Sequence, residues 1–176
     1  MNFIFPLVYS SILFIVLLFL CFYFFGQLKT TQKVEKRLSY LETKLQKNER
    51  SSENFYKLGQ LYLSKKIYEK AISLFRSSLN VWDKNDKIGL GSLYNTLGFS
   101  YFKLKQYNHA IYYYNQAIKL LPDYALALTN LALVYEKKQM YKEAYFTYLK
   151  AFSFEKRNKL IQSRLSVLKL KLQLKS

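Results

Sequence analysis

The sequence predicts an all-α protein: a single N-terminal transmembrane helix, then three helical hairpins stacked as an α-solenoid, then a C-terminal capping helix. Three observations carry this expectation. Residues 1 to 28 contain no Asp, Glu, Lys or Arg. The rest of the chain repeats itself, with three segments aligning as copies of one two-helix pattern. Finally, 51% hydrophobic residues with only 5 Gly and 2 Pro in 176 exclude disorder, collagen-like repeats and a turn-rich all-β chain.

The first element is the apolar run from Phe3 to Phe25, built almost entirely of Phe, Leu, Ile, Val and Tyr. As a helix it reaches about 34 Å, enough to cross a hydrocarbon core of about 30 Å. Pro6 falls in its first turn, where a missing amide donor costs little, and Tyr23 near the far end suits the interface belt. A cleaved signal peptide needs a basic n-region, a shorter apolar stretch and a small-residue cleavage site. This sequence has none of them, so residues 1–28 read as an uncleaved anchor. Cys21 inside the run reads as a small apolar residue, and a single cysteine makes no internal disulfide. Basic residues follow the span and only the α-amino group precedes it, so the positive-inside bias puts the C-terminal part on the cytoplasmic or equivalent side.

Residues 29–50 read as a basic juxtamembrane helix continuing out of the membrane. Val34, Leu38, Leu41 and Leu45 form one narrow apolar stripe, while Glu35, Glu42 and Glu49 lie on another face. With fewer than three heptads, packing on the following domain as an N-terminal cap is favoured over a coiled-coil seam. The basic cluster beside the membrane is expected to favour anionic lipid head groups.

The region 51–158 holds three copies, at 52–85, 91–124 and 125–158. The first carries Phe55, Leu58, Gly59, Tyr62, Tyr68, Ala71, Phe75 and Ser78. The second carries Tyr94, Leu97, Gly98, Tyr101, Tyr107, Ala110, Tyr114, Ala117 and Pro122. The third carries Leu128, Leu131, Ala132, Tyr135, Tyr141, Ala144, Tyr148 and Ala151. Gly59, Gly98, Ala132, Ala71, Ala110 and Ala144 are small where the two helices of each hairpin cross, since larger residues would cost about 1–3 kcal/mol through overpacking. The aromatics fill the space between hairpins, and Pro122 ends its helix. Asp86 to Leu90 are extra relative to this period, and Gly89 with Gly91 makes them a kink or longer turn. This spacing of an aromatic, Leu-Gly, Tyr, Ala, Phe, Ala and Pro resembles the tetratricopeptide repeat family. Three copies meet the usual minimum for a stable stack.

The tail, 159–176, places Ile161, Leu165, Leu168 and Leu172 on one face. Lys159, Arg164, Lys169, Lys171 and Lys175 lie elsewhere, and the tail has no acid, as expected of a basic capping helix.

No catalytic, cofactor-binding or metal-binding set stands out, so the chain reads as a non-enzyme without a small-molecule substrate. His109 has no Ser, Cys or Asp motif around it and reads as a surface residue. There is no phosphate loop, H-E-x-x-H or C-x-x-C. The family resemblance instead implies a peptide groove on the concave face of the first helices. Its register gives Tyr56, Gln60 and Leu63; then Asn95, Phe99, Phe102 and Lys103; then Thr129, Leu133 and Glu136. Asn95 and Gln60 would supply hydrogen bonds and the aromatics apolar anchors, although Phe99 and Phe102 have a second possible place within the stack. The Lys and Arg clamp with which some family members hold C-terminal carboxylates of chaperones is mostly absent.

The net charge of +17 peaks at the two flanks, +4 over residues 29–50 and +5 over 159–176, and no RNA-binding motif accompanies it. A nucleic-acid partner is therefore disfavoured. The layout of span, basic helix, three repeats and cap resembles anchored tetratricopeptide proteins of plastids and cyanobacteria. That resemblance implies a thylakoid anchor with the N-terminus lumenal and the repeats stromal. It also implies a protein-interaction scaffold for photosystem I subunits or assembly factors, serving the assembly or stability of that complex. The rival expectation is a protein-import or membrane-biogenesis receptor of an organelle or bacterial inner membrane, which the basic domain disfavours because import targets are themselves often basic.

Overall fold

The computed structural model describes residues 4–47 and 50–173, with side chains from residue 8 onward. Phe3, Glu49 and Lys175 of the patterns above lie outside the described residues. Eight α-helices and no strand occur among the described residues: α1 (Ile4–Gln46), α2 (Ser52–Ser64), α3 (Tyr68–Val81), α4 (Lys87–Lys103), α5 (Tyr107–Leu120), α6 (Ala125–Lys137), α7 (Tyr141–Phe154) and α8 (Lys159–Gln173).

One unbroken helix, α1, carries both the apolar run and the basic stretch, and it is long and apolar enough to cross a membrane. Gly26 does not interrupt it: a Cβ there would meet nothing within 4 Å. Thr30 and Thr31 donate their hydroxyls back to the Gly26 and Gln27 carbonyls at 2.7 and 2.9 Å. Past the run, Leu41 is buried, and Leu38 and Leu45 pack against the same core as Leu58 and Tyr62 of α2. Two polar contacts flank that seam, the Tyr62 hydroxyl donating to Glu42 and Lys65 pairing with Glu35.

Each hairpin turns in the same way. Lys66, Lys105 and Gln139 take φ of 61°, 59° and 61°, left-handed values unusual for side chains other than Gly or Asn. The amides of Ile67, Gln106 and Met140 reach back to the carbonyls of Tyr62, Tyr101 and Tyr135, each at 2.9 Å. This six-to-one bond defines a Schellman stop and fixes how the second helix folds back.

The core follows the repeat signature. Ala71, Ala110 and Ala144 are fully buried, and Phe75, Tyr114 and Tyr148 fill the crossings. A Cβ on Gly59 would stand 2.6 Å from the Phe75 ring, and one on Gly98 would stand 2.7 Å from that of Tyr114. Ser78, in a position that is Ala in the other copies, is buried and donates to the Ser52 carbonyl at 2.7 Å.

The five extra residues differ from the expected kink. Asp86 caps α4, its carboxylate accepting from the Gly89 amide at 2.8 Å and from the Trp82 indole at 3.1 Å. Gly89 and Gly91 are helical, with no positive φ. The insertion therefore lengthens α4 to 17 residues against 13 in α2 and α6. The glycines are needed for space, since a Cβ on Gly91 would lie 2.5 Å from Leu121.

Candidate peptide-binding groove

Successive first helices meet through polar contacts at equivalent places. Asn130 of α6 donates to Asn95 Oδ1 of α4 at 3.0 Å, and Arg164 of α8 pairs with Glu136 of α6 at 3.5 Å. These contacts join α4, α6 and α8 as one row that the repeat register extends to α2, with α8 taking the place of a fourth first helix. Ile161 and Leu168 of α8 are buried in the core with Leu128, Ala132 and Tyr148.

The residues expected to line the groove fall into two sets. Gln60 and Lys103 are exposed, Leu63, Phe99 and Leu133 are half-buried, and Lys103 Nζ sits 5.0 Å over the Phe99 ring. The others are engaged inside the protein. Tyr56 packs on Phe75 and Trp82, each with a ring separation of 5.7 Å. Phe102 lies 6.0 Å from Tyr107 in the first core cluster. Thr129 donates back to the Ala125 carbonyl at 2.8 Å, and Glu136 holds Arg164. Asn95 is buried and links two partners: it accepts from Asn130, and it hydrogen-bonds the Tyr124 hydroxyl, which Ser92 also engages. Burial raises the Tyr124 phenol above its ordinary range, and those two hydrogen bonds pull it partly back. Asn95 thus reads as a joint between repeats, with its amide already committed.

Three groove positions escaped the sequence reading. Because residue 159 follows residue 125 by one full period, the tail continues the register, and Leu160, Val167 and Leu170 take the places that Leu126, Leu133 and Glu136 hold in α6. They are 57%, 45% and 61% exposed, and Leu126 is 51% exposed. The continuing period was the signal; reading the tail only by its buried face hid them. The row therefore presents a largely apolar strip: Phe99, Leu126, Leu133, Val167 and Leu170. His109 is exposed and stacks on the Tyr101 ring at 5.0 Å. Among the described residues no group of three or more His, Cys, Asp or Glu is placed to hold a metal ion.

Tetratricopeptide repeat models match residues 51–123 and 125–158. The chain is 36% identical over 168 residues to the protein ycf37 of Guillardia theta, covering 96% of this chain and 94% of that one. It is 28% identical to the chloroplastic tetratricopeptide repeat domain-containing protein PYG7 of Arabidopsis thaliana, spanning 87% of this chain and 50% of that protein. Among solved structures, MamA superposes with a TM-score of 0.74 at 21% identity, covering 83% of this chain and 82% of that one. The first repeat domain of Spaghetti (RPAP3), bound to an HSP90 peptide, superposes with a TM-score of 0.63 at 20% identity, covering 70% and 94%.

Proposed function

Since this chain belongs to the tetratricopeptide repeat family, a family of protein-interaction scaffolds, we propose that it is a membrane-anchored, non-enzymatic scaffold that holds segments of photosystem I subunits or assembly factors. In this reading α1 is anchored in the thylakoid membrane with the N-terminus lumenal and the repeats stromal. The basic residues on only one flank of the apolar run support that orientation. The plastid relatives support the compartment. The domain order would be an anchor over 1–28, a basic helix over 29–50, repeats over 51–158 and a basic cap over 159–176.

The observation that carries the reading is the partly exposed apolar strip across α4, α6 and α8. A solvated helix row would hold polar residues there, whereas Phe99, Leu126, Leu133, Val167 and Leu170 can give up water to a partner's apolar face. The strip lacks the basic clamp, so apolar anchoring outweighs carboxylate recognition. Such burial gives about 25 cal/mol per Å² of apolar surface removed from water.

The test is affinity capture of the tagged full chain from mildly solubilised thylakoids, beside the pair of substitutions Phe99→Glu and Leu133→Glu. Photosystem I subunits are expected in the wild-type eluate and lost from that of the double variant at unchanged helicity. Equal recovery from both removes the groove, and import components in place of photosystem subunits turn the reading to the receptor alternative.

A further inference from the structure

The first repeat lacks something that every later one has. In α4, α6 and α8 the third residue of the register (Leu93, Ala127, Ile161) and the tenth (Ser100, Val134, Leu168) are buried against the preceding repeat, at no more than 1% exposure. In α6 and α8 the sixth residue also touches the previous first helix, as Asn130 does Asn95 and Arg164 does Glu136. In α2 these places are Asn54, Leu61 and Lys57. Among the described residues α1 stands as a preceding second helix, and no helix stands as a preceding first helix. The vacant place is a trough of about 590 Å³ between α1 and α2, lined by Arg37, Tyr40, Leu41 and Lys44 on one side and by Asn54, Lys57, Leu61, Ser64 and the groove candidate Gln60 on the other.

Charge selects the occupant. On α1 the acids Glu35 and Glu42 are turned onto α2, where they meet Lys65 and Tyr62. The bases fall on the other side of the leucine stripe: Lys29, Lys33, Lys36 and Arg37 line a second hollow that shares Arg37 and Tyr40 with the trough. The lining of the trough holds no carboxylate among the described residues, and Glu53 beside it is engaged by Lys57. With the anchor over 1–28 of the proposed function, on which this step rests, Arg37 would stand about 13 Å along the helix from the membrane boundary, beyond a head-group layer of about 5–7 Å, so lipid would reach the lower hollow and not the trough. A second copy of this chain, at +17, would be repelled.

We propose that the trough docks an acidic amphipathic helix of a membrane-associated partner. That helix would stack as the missing first helix, its apolar edge on Tyr40, Leu41 and Leu61 and its carboxylates toward Arg37, since Lys57 is already paired with Glu53 and Lys44 lies over the Tyr40 ring. This site is separate from the apolar strip and does not depend on it.

The experiment places the full chain in phosphatidylcholine nanodiscs and titrates it into a fluorescein-labelled Glu/Leu amphipathic peptide of about 15 residues, long enough to form a helix when docked. Saturable binding is expected, weakened at least about fivefold by Arg37→Glu and in the same direction by Tyr40→Ala. Lys142→Glu on α7 and Phe99→Glu in the strip should leave it unchanged, which separates failure here from failure of the groove. No saturable binding overturns the proposal, as does an equal loss with Lys142→Glu, which would mark a general field effect. It also falls if Arg37→Glu alters only partition onto phosphatidylglycerol vesicles and leaves the peptide bound.

Discussion

Tyr62 of α2 donates its hydroxyl proton to Glu42 of α1 across a seam whose apolar side is Leu38, Leu41 and Leu45. This bond joins the helix that carries the apolar run to the first repeat. Hydrogen bonds to a charged group contribute about 1.5–3 kcal/mol when partly buried, so Tyr62→Phe should lower stability by about 1–2 kcal/mol, since the ring is kept. Hydrogen exchange of the full chain in micelles should show the loss concentrated in residues 35–46. Uniform acceleration across all helices would contradict this coupling.

The crossing of α4 and α5 sets a size limit at Gly98. A Cβ there would meet Tyr114 Cδ1 and Cε1 at 2.7 and 2.8 Å, so the buried Tyr114 ring, 1% exposed, would have to shift. The third hairpin carries Ala132 at the same position beside Tyr148, so one methyl can be accommodated. Gly98→Ala should fall within about 1 kcal/mol of wild type, because helix propensity offsets the crowding. Gly98→Val should cost about 2–3 kcal/mol through overpacking. Urea denaturation midpoints of the two variants measure the difference, and equal midpoints would refute the size limit.

Much of this architecture was legible in residue spacing. The small residues at the helix crossings and the aromatic at each crossing are local requirements that recur each period, so three copies reinforced one another, while Pro122 marks a helix end in the second copy alone. The groove was less legible because register tells which face a residue occupies and not whether its side chain is free. Asn95 and Glu136 occupy groove positions, yet they are engaged by Asn130 and Arg164, residues whose partners are set by the offset between neighbouring helices. The extra residues 86–90 misled for a related reason: Gly89 and Gly91 look like breakers, but they are small because Asp86 and Leu121 crowd them.

The left-handed residues at the three turns offer a stabilising change. Lys105 holds φ at 59° while its amide bonds the Phe102 carbonyl at 2.9 Å. That conformation costs a residue with a Cβ about 1 kcal/mol, and Gly avoids it while losing some of the gain to its greater freedom when unfolded. Lys105→Gly should therefore stabilise by about 0.5 kcal/mol, whereas Lys103→Gly, at the last residue of α4, should destabilise, by less than the roughly 1 kcal/mol of a helix interior. Thermal melts that ranked the two the other way would exclude the turn strain.

Alkaline pH provides a check on the Tyr62 contact. Its hydrogen bond to Glu42, then burial, push the phenol up to about 12, and burial raises Tyr114 and Tyr148 as well. A group raised in the folded state contributes stability that is complete below its unfolded value near 10 and is lost as pH climbs through the folded value. Unfolding should therefore become easier from about pH 10 upward, as unfolded tyrosines ionise while these three are held neutral. Lysines deprotonate over the same range and relieve the repulsion of +17, which acts in the opposite direction. Comparing wild type with Tyr62→Phe at each pH cancels that background. The stability difference between them should be constant to about pH 10 and then narrow toward pH 12, because Phe has no proton to lose. A difference that stays flat to pH 12 would mean that Tyr62 is not held neutral by Glu42, and the α1–α2 seam would then rest on its leucines alone.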